Sequence, residues 1–600
     1  MNLKLNIALN LIIVLLGLTL YYNTLDNEYA LDDKAIITQN KFTKKGFDGI
    51  SDLLTTSYWE GIDKNVRSYR PLAPVTFAVE VGLLGFKPEI SHFFNIVIYI
   101  ITGLFLFLLL KKLLKNLFTN YSEFLAFSVT LLYLAHPIHT EVVANIKSRD
   151  AMFEFLFLIS SFYFLLVYIE KNNIKNIVFS TVFFFLALLS KESAISFIIM
   201  VPIILVLLKK SDVFSKIKIW VIYFIPVLFY LFLYYQYSNI QSFERLHFLD
   251  NSLIGIESNT NLLATKFYIL FKYITLLIYP SPLVYDYSFN QIPEVSFTSF
   301  YALLGVLLYS FIAIFAITTF FKKLLNKEVS SLNILITIAI AWFFMGFLAS
   351  SNLFFLIGST MGERFMYSPS LGFIIIFAYF IHYIITNKLF EKNKSKEYIY
   401  LSLITIIIIF YFIKTTERNK DWKNDFTLFS SDIKNLKNNI KANDFLANIY
   451  RSKGDLEKDL KTKNEYYNKA VELKENAIKI NPKVPEIQQE LAFLYGNVGR
   501  FEDAVNTYKT AISMNPNEFL NYLQIGKAYG LLQKPNESIV YLLKGAKITP
   551  NDAEVWMILG ISYAQTLQME KALECFNKSI QINPNNEQVK AFIKQIKNNK

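Results

Sequence analysis

Residues 93–113 read FFNIVIYIITGLFLFLLLKKL, with no charged side chain from Phe93 to Leu110 and a lysine pair at Lys111 and Lys112. A helix rises about 1.5 Å per residue, so about 20 apolar residues cross the hydrocarbon core of a bilayer. The stretch reads as a transmembrane helix. Its lysine pair marks the cytoplasmic end, because short cytoplasmic loops collect Lys and Arg.

Working outward, similar apolar runs lie near 5–24, 122–140, 152–169, 176–190, 194–209, 217–237, 299–321, 332–352, 369–386 and 397–414. With 93–113 they predict eleven spans. The stretch 262–279 carries Lys266 and Lys272 on one side of an otherwise apolar helix, which suits a helix lying at the interface. One set of loops holds Lys111, Lys112 and Lys115; Lys171 and Lys175; Lys209, Lys210, Lys216 and Lys218; Lys322, Lys323 and Lys327; and Lys388, Lys392, Lys394 and Lys396. The opposite set is poorer, with Lys147, Arg149, Lys191 and Arg364. Eleven spans put every lysine-rich loop on the cytoplasmic side, whereas a twelfth at 262–279 would reverse all later loops. The N-terminus is then inside and the segment after 414 outside, in the periplasm of a bacterium or the lumen of the endoplasmic reticulum of a eukaryote. No small-residue cleavage site follows residues 5–22, which read as a retained helix rather than a signal peptide.

Composition agrees. The chain has 600 residues, which suggests more than one domain; 53% of them are hydrophobic and the mean hydropathy is +0.34, both high for a soluble protein. The average hides a split near Lys414, after which Asn, Lys and Glu replace Phe, Ile and Leu. The net charge is +12, but the basic residues flank apolar runs, so anchoring explains them and nucleic acid is not an expected partner. The single cysteine, Cys575, excludes an internal disulfide and a cysteine-based metal site.

In the polar tail Pro482, Pro516, Pro550 and Pro584 recur every 34 residues. That period is the tetratricopeptide signature. The internal positions fit it: Trp556, Leu559, Gly560, Tyr563, Ala572 and Phe576 in one unit, and Tyr522, Ile525, Gly526, Tyr529 and Leu542 in its neighbour. The fold expected is all-α: a polytopic membrane bundle over 1–414 with an external loop at 26–92, a linker at 415–440, and a repeat solenoid of about four units over 441–600. Such a solenoid offers a groove for an extended polypeptide.

Charge retained against the membrane's preference marks function, and the notable clusters all fall on the outer side. Asp32-Asp33 follows the first helix and suits a general base or a divalent cation, Mg or Mn. Arg67-Ser68-Tyr69-Arg70 brings guanidinium groups that bind phosphate in a fork. His136-Pro137-Ile138-His139-Thr140-Glu141 lacks the spacing of the helical zinc motif and suits polar substrate contact instead. Arg149-Asp150, Lys191-Glu192 and Glu363-Arg364 with Tyr367 complete the set. Carboxylates to deprotonate an acceptor, and cations to hold a departing phosphate, are what transfer from a lipid-phosphate donor needs.

These segments, with Tyr69-Arg70-Pro71-Leu72, Ser190-Lys191-Glu192, Tyr367-Ser368-Pro369-Ser370-Leu371-Gly372-Phe373 and Arg418 with Trp422, resemble the transmembrane and tetratricopeptide-repeat protein O-mannosyltransferases, a branch of the GT-C glycosyltransferases. The resemblance implies a GT-C-type bundle, an active site facing outside, and an inverting transfer of a sugar, usually mannose, from undecaprenyl or dolichyl phosphate to Ser or Thr of proteins. It implies Asp32 or Asp33 as the catalytic carboxylate. Arg149, Lys191 and Arg364 are expected at the donor phosphate. Arg67, Tyr69, Arg70, His136, His139, Glu141, Asp150, Glu192, Glu363 and Tyr367 are expected around the substrates. Membrane lipid, the lipid-linked sugar and an acceptor polypeptide in the repeat groove are the expected partners. The Lys-, Asn- and Ile-rich composition favours a bacterium and undecaprenyl phosphate. Three rival readings are a transferase acting on a lipid-linked or surface glycan, a non-enzymatic scaffold that recruits partners through its repeats, and a transporter of lipid-linked sugars. The last would want charge at the midplane of the spans and inverted repeats.

Overall fold

The computed structural model describes residues 3–62, 67–118, 122–208, 213–238, 247–385 and 395–598. The chain divides into two compact units, Met1–Ser288 with Ile292–Asn435, and Phe289–Gln291 with Leu436–Lys600. Every regular element among the described residues is helical.

In the first unit the principal helices are α1 (Leu3–Tyr21), α2 (Leu72–Leu84), α3 (Pro88–Leu117), α4 (Ser122–Ala135), α5 (Arg149–Lys171), α6 (Ile174–Ser190), α7 (Met200–Leu208), α8 (Phe224–Tyr237), α9 (Asn259–Ile278), α10 (Phe300–Leu324), α11 (Ser331–Leu348), α12 (Ser370–Tyr383), α13 (Ser395–Asp421) and α14 (Asp425–Asp432). Among the described residues eight helices are long and apolar enough to cross a membrane; α2, α4, α6, α12 and the segment Glu192–Leu208 are shorter apolar helices. Each of the eleven expected runs contains a helix among the described residues, and helices are what lipid demands, since every backbone N–H and C=O must be satisfied within the segment. Lys209, Lys210, Lys388, Lys392 and Lys394, used above to orient the chain, lie outside the described residues.

Sequential helices run antiparallel and pack at small residues. A Cβ on Gly17 would meet Ile100 at 2.8 Å, and one on Gly103 would meet Leu134 at 2.8 Å. Ser161 and Ser180 exchange hydroxyl-to-carbonyl hydrogen bonds of 2.8 and 2.5 Å between α5 and α6. Polar and small contacts of this kind join helices where lipid removes the hydrophobic drive between them.

Helix α9, the 262–279 stretch, meets the length and apolarity of a span; it packs on α10, where Tyr309 Oη donates to Leu270 O at 3.1 Å, and three of its polar contacts lie at one end of the bundle. Lys266 Nζ donates to Leu353 O at 3.1 Å, Tyr273 Oη accepts from Gly362 N at 2.9 Å, and His136 Nε2 lies 3.0 Å from Leu277 O. Leu353 and Gly362 belong to the α11–α12 connection, and His136 follows α4, so both halves of α9 touch the same end.

Two expected boundaries move. The 122–140 run is not one helix: α4 stops at Ala135, His136 turns extended (φ −63°, ψ 122°), and Pro137 starts a 3-10 turn. Proline disfavours helical geometry in the residue before it, so the break is written at His136-Pro137. The stretch read as a linker, 415–440, is largely helical and mostly in the first unit: α13 continues to Asp421, and α14 begins with an Asn424–Thr427 capping box.

The second unit consists of helix pairs α15 (Ile440–Leu456) and α16 (Leu460–Ile480), α17 (Pro485–Asn497) and α18 (Phe501–Met514), α19 (Phe519–Leu531) and α20 (Pro535–Ile548), α21 (Ala553–Gln565) and α22 (Met569–Ile582), followed by α23 (Glu587–Asn598). Leu542 fills the space over Gly526, and Phe576 the space over Gly560. The repeat glycines thus admit the large side chain of the paired helix.

Gly372 tests the packing rule in the first unit. A Cβ there would sit 2.2 Å from Ala339 O and 3.0 Å from Phe343. Gly372→Ala is expected to destabilise the α11–α12 pair by about 1–3 kcal/mol, the range for overpacking, seen as a lower Tm of the solubilised chain. Gly496→Ala, where nothing lies within 4 Å of the added methyl, is expected to leave the repeat unit as stable or slightly more so. Equal behaviour of the two would contradict the packing account.

Candidate active site

At the end of the bundle where α4 stops and α5 begins, a cavity of about 580 Å³ opens. Its walls come from the loop after α1, the start of α5, the α6–α7 connection, α8 and the α11–α12 connection. Among the expected residues, Asp32, Arg70, Asp150, Lys191, Glu192, Arg364 and Tyr367 line it.

Arg70 is held by two acids. Its Nε and one Nη donate to the Glu192 carboxylate at 2.7 and 2.5 Å, and the other Nη to Asp150 at 2.8 Å. Arg364 is held by Glu141, whose carboxylate accepts from the Arg364 guanidinium at 2.6 Å and from its backbone N at 2.8 Å. Burial lowers the Arg364 pKa, but Glu141 above all, with Asp32 and Asp286, raises it well above the ordinary guanidinium value. Its side chain remains 37% exposed, so the group is anchored and still presented. Lys191 and Asp32 face the cavity differently. Among the described residues neither makes a side-chain hydrogen bond or an ion pair.

Asp33 does not share the cavity with Asp32. It is fully buried, accepting from Lys147 N at 2.6 Å with one oxygen and from Ala30 N at 3.1 Å with the other. Burial pushes its carboxyl up to about 7 against the pull of those backbone donors. Asp33 therefore clamps the loop onto the residues before α5 and is not placed as a base. For the same reason the expected Mg or Mn site at the pair does not fit: Asp33's oxygens are already committed to backbone. Among the described residues no group of three His, Cys, Asp or Glu could hold a metal.

Arg149 is not a phosphate ligand in this geometry. It is 1% exposed and stacked 4.4 Å from the Phe77 ring centroid. Its guanidinium pairs with Glu80 and donates to Asn95 at 2.8 Å, Thr76 at 2.9 Å and Ser91 O at 3.0 Å. It pins α5 to α2 and α3. The two histidines are also structural. His136 bonds Ile138 N and Leu277 O; His139 lies 2.9 Å from Ser370 Oγ and 3.3 Å from Tyr99 Oη. Tyr69 is buried, with its hydroxyl donating to Leu54 O, and Arg67 is exposed outside the cavity lining. Glu363 is buried, one of its oxygens accepting from both Val284 N at 2.5 Å and Tyr287 Oη at 2.9 Å. Burial pushes its carboxyl up to about 8, against the lowering by Arg418 and with a further rise from Glu141.

Sequence reasoning missed Trp59, Lys147, Glu154 and Tyr234, all in the lining. Lys147 was weighed only as loop charge. Its Nζ stands 3.8 Å from Asp150 and 5.8 Å from the Tyr58 and Trp59 ring centroids. The available signal for Glu154 was its spacing, four residues after Asp150 and so on the same helix face.

Comparison with known proteins now bears on this geometry. Tetratricopeptide repeat models match residues 485–518, 521–552 and 553–586. The chain is 27% identical over 478 residues to a protein O-mannosyl-transferase of Caenorhabditis elegans, covering 79% of this chain and 62% of that protein. It is 26% identical over 546 residues to protein O-mannosyl-transferase TMTC3 of Homo sapiens, covering 85% and 56%. Its homologues are protein O-mannosyl-transferases. The chain spans about three fifths of the length of these relatives. Human protein O-mannosyl-transferase TMTC2 is 24% identical, covering 74% of this chain and 60% of the relative. Among solved structures, the crystal structure of MamA protein is 22% identical, covering 25% of this chain and 80% of that chain, at a TM-score of 0.23.

Two outcomes check the assignments. Arg149→Ala leaves Glu80 buried and unpaired, so it is expected to cost about 3–5 kcal/mol, read as a lower Tm or lost expression; wild-type stability would contradict the pinning role. Asp33 and Glu363 hold protons in the folded chain that the unfolded chain releases from its ordinary carboxyls. Between about pH 4 and 8 the unfolded state therefore binds fewer protons, and stability falls as pH rises. Glu363→Gln keeps both hydrogen bonds, since one oxygen accepts them, and is expected to flatten the fall of Tm with pH. An unchanged slope would contradict the assignment.

Proposed function

We propose that this multi-pass membrane protein is a GT-C-type glycosyltransferase. It moves a sugar, mannose by kinship, from a polyprenyl-phosphate donor to Ser or Thr hydroxyls of exported polypeptides. The observation that carries the reading is one cavity holding the uncommitted carboxylate of Asp32 together with Lys191 and the anchored, presented Arg364, in a chain homologous to protein O-mannosyl-transferases.

The chemistry follows from those groups. A Ser or Thr oxygen attacks the anomeric carbon. Asp32 takes the hydroxyl proton as the new C–O bond forms, which raises the nucleophile's reactivity. The bond from the anomeric carbon to the phosphate oxygen breaks on the opposite face, and its electron pair leaves with polyprenyl phosphate. A single displacement inverts the anomeric centre. Lys191 and Arg364 neutralise the charge that gathers on the leaving phosphate, where preformed cations in a low-dielectric site act most strongly. Glu141 acts through Arg364, and Asp150 and Glu192 act through Arg70. Eleven spans, with the cavity facing the periplasm or lumen, complete the reading: the donor arrives within the bilayer and the acceptor from the aqueous side. Tetratricopeptide repeats are a protein-binding architecture, and the repeat unit is proposed to hold the acceptor chain.

The test is transfer by the purified full-length chain in lipid, with polyprenyl-phosphate mannose and a Ser/Thr peptide. Asp32→Asn is expected to lower kcat by about 10²–10⁴, the usual contribution of a general base, with donor KM and Tm close to wild type. Lys191→Ala is expected to raise donor KM and lower kcat together. Full activity in Asp32→Asn would remove the proposed base.

A further inference from the structure

We propose that Glu154 is the residue that reads the hydroxyl groups of the transferred sugar, so that the cavity selects a fully hydroxylated hexose over its deoxy analogues. This rests on the reading of the cavity as a sugar-transfer site, and concerns a group that the transfer chemistry leaves unused.

Glu154 lies one turn beyond Asp150 on α5 and forms part of the cavity wall. It is 95% buried by its relative exposure of 5%. Oε1 accepts from Ser193 Oγ at 2.6 Å, and Oε2 has no partner among the described residues. A buried carboxylate in the first turns of an apolar helix is costly unless its oxygens are satisfied. Ser193 meets only part of that need, and Glu154 borders open cavity. Asp150 and Glu192 cannot take this role, because Arg70 occupies them.

A sugar ring supplies what is missing. Neighbouring hydroxyls are paired donors, and the open oxygen of the Glu154 carboxyl is an acceptor for them. Trp59 and Tyr234 are also in the lining and bring aromatic side chains to the same cavity. Discrimination follows from the same physics. A site built to bond a hydroxyl is left with an unpaired buried acceptor when the analogue lacks it, and rejects that analogue far more strongly than a merely apolar pocket would.

The test uses the full chain in detergent, with binding of mannose 1-phosphate and its 2-, 3-, 4- and 6-deoxy analogues measured by calorimetry and saturation-transfer NMR. Wild type is expected to bind at least one deoxy analogue about tenfold or more weakly than the parent, the loss of a strong hydrogen bond. Glu154→Ala is expected to bind the parent about tenfold more weakly and to lose that discrimination. Glu154→Gln, which keeps the shape and the Ser193 bond, is expected to fall between the two, and guards against a folding defect in the alanine variant. A purely structural Glu154 would weaken all five ligands equally and lower Tm. That pattern, wild-type discrimination in Glu154→Ala, or no binding of mannose 1-phosphate to wild type would overturn the proposal. If the pattern holds but no sugar is transferred, the reaction reading fails and the Glu154 assignment stands. If transfer occurs with discrimination intact in Glu154→Ala, the reverse is true.

Discussion

Buried charge at the cavity end of this bundle must be paired, and the site is built around that requirement. An unpaired ion in a low-dielectric setting costs several kcal/mol, and four arginines there meet the condition with named partners. Arg149 takes Glu80, Arg364 takes Glu141, Arg70 takes Asp150 and Glu192, and Arg418 takes Asp432 with a fork of 2.5 and 2.8 Å. Three of the pairs join elements far apart in sequence, and Arg418–Asp432 joins the consecutive helices α13 and α14, so the pairs both satisfy charge and set the positions of the helix ends. Among the described residues, Asp32 and Lys191 are left in the cavity wall with no side-chain hydrogen bond or ion pair.

This division of labour explains why adjacent carboxylates differ in role. Asp32 and Asp33 are neighbours in sequence, but the backbone N–H groups of Ala30 and Lys147 bind Asp33 and turn it inward, leaving Asp32 at the cavity. The clamp also sets Lys147 against the same space, because the residue whose backbone holds Asp33 sends its side chain toward Asp150. One buried acid thus positions two polar side chains from different segments.

Much of the architecture was legible from sequence because it rests on local rules. Long apolar runs become helices in lipid whatever their neighbours, and a 34-residue period with glycines opposite Leu542 and Phe576 fixes the repeat packing. The break at His136-Pro137 was also written locally, but the apolar run around it concealed it. The site was legible only as a pool of candidates. Retained charge marked Arg149 and Arg364 alike, and nothing in the order of residues says that Glu80 lies beside the first while the second faces the cavity. His136 and His139 misled for a related reason: their polar nitrogens satisfy the backbone and hydroxyls of α9 and α12 instead of a ligand. Glu154 and Trp59 went unseen, the one inside an apolar run and the other in a loop, because only the fold brings them to one cavity.

The central claim is that the cavity transfers a sugar to exported protein. It is tested most directly by intact mass spectrometry of exported proteins from cells with and without this gene. The account predicts a hexose on Ser or Thr that disappears with the gene and returns with the wild-type chain. An unchanged set of glycosylated proteins, with altered lipid-linked glycans instead, would contradict it.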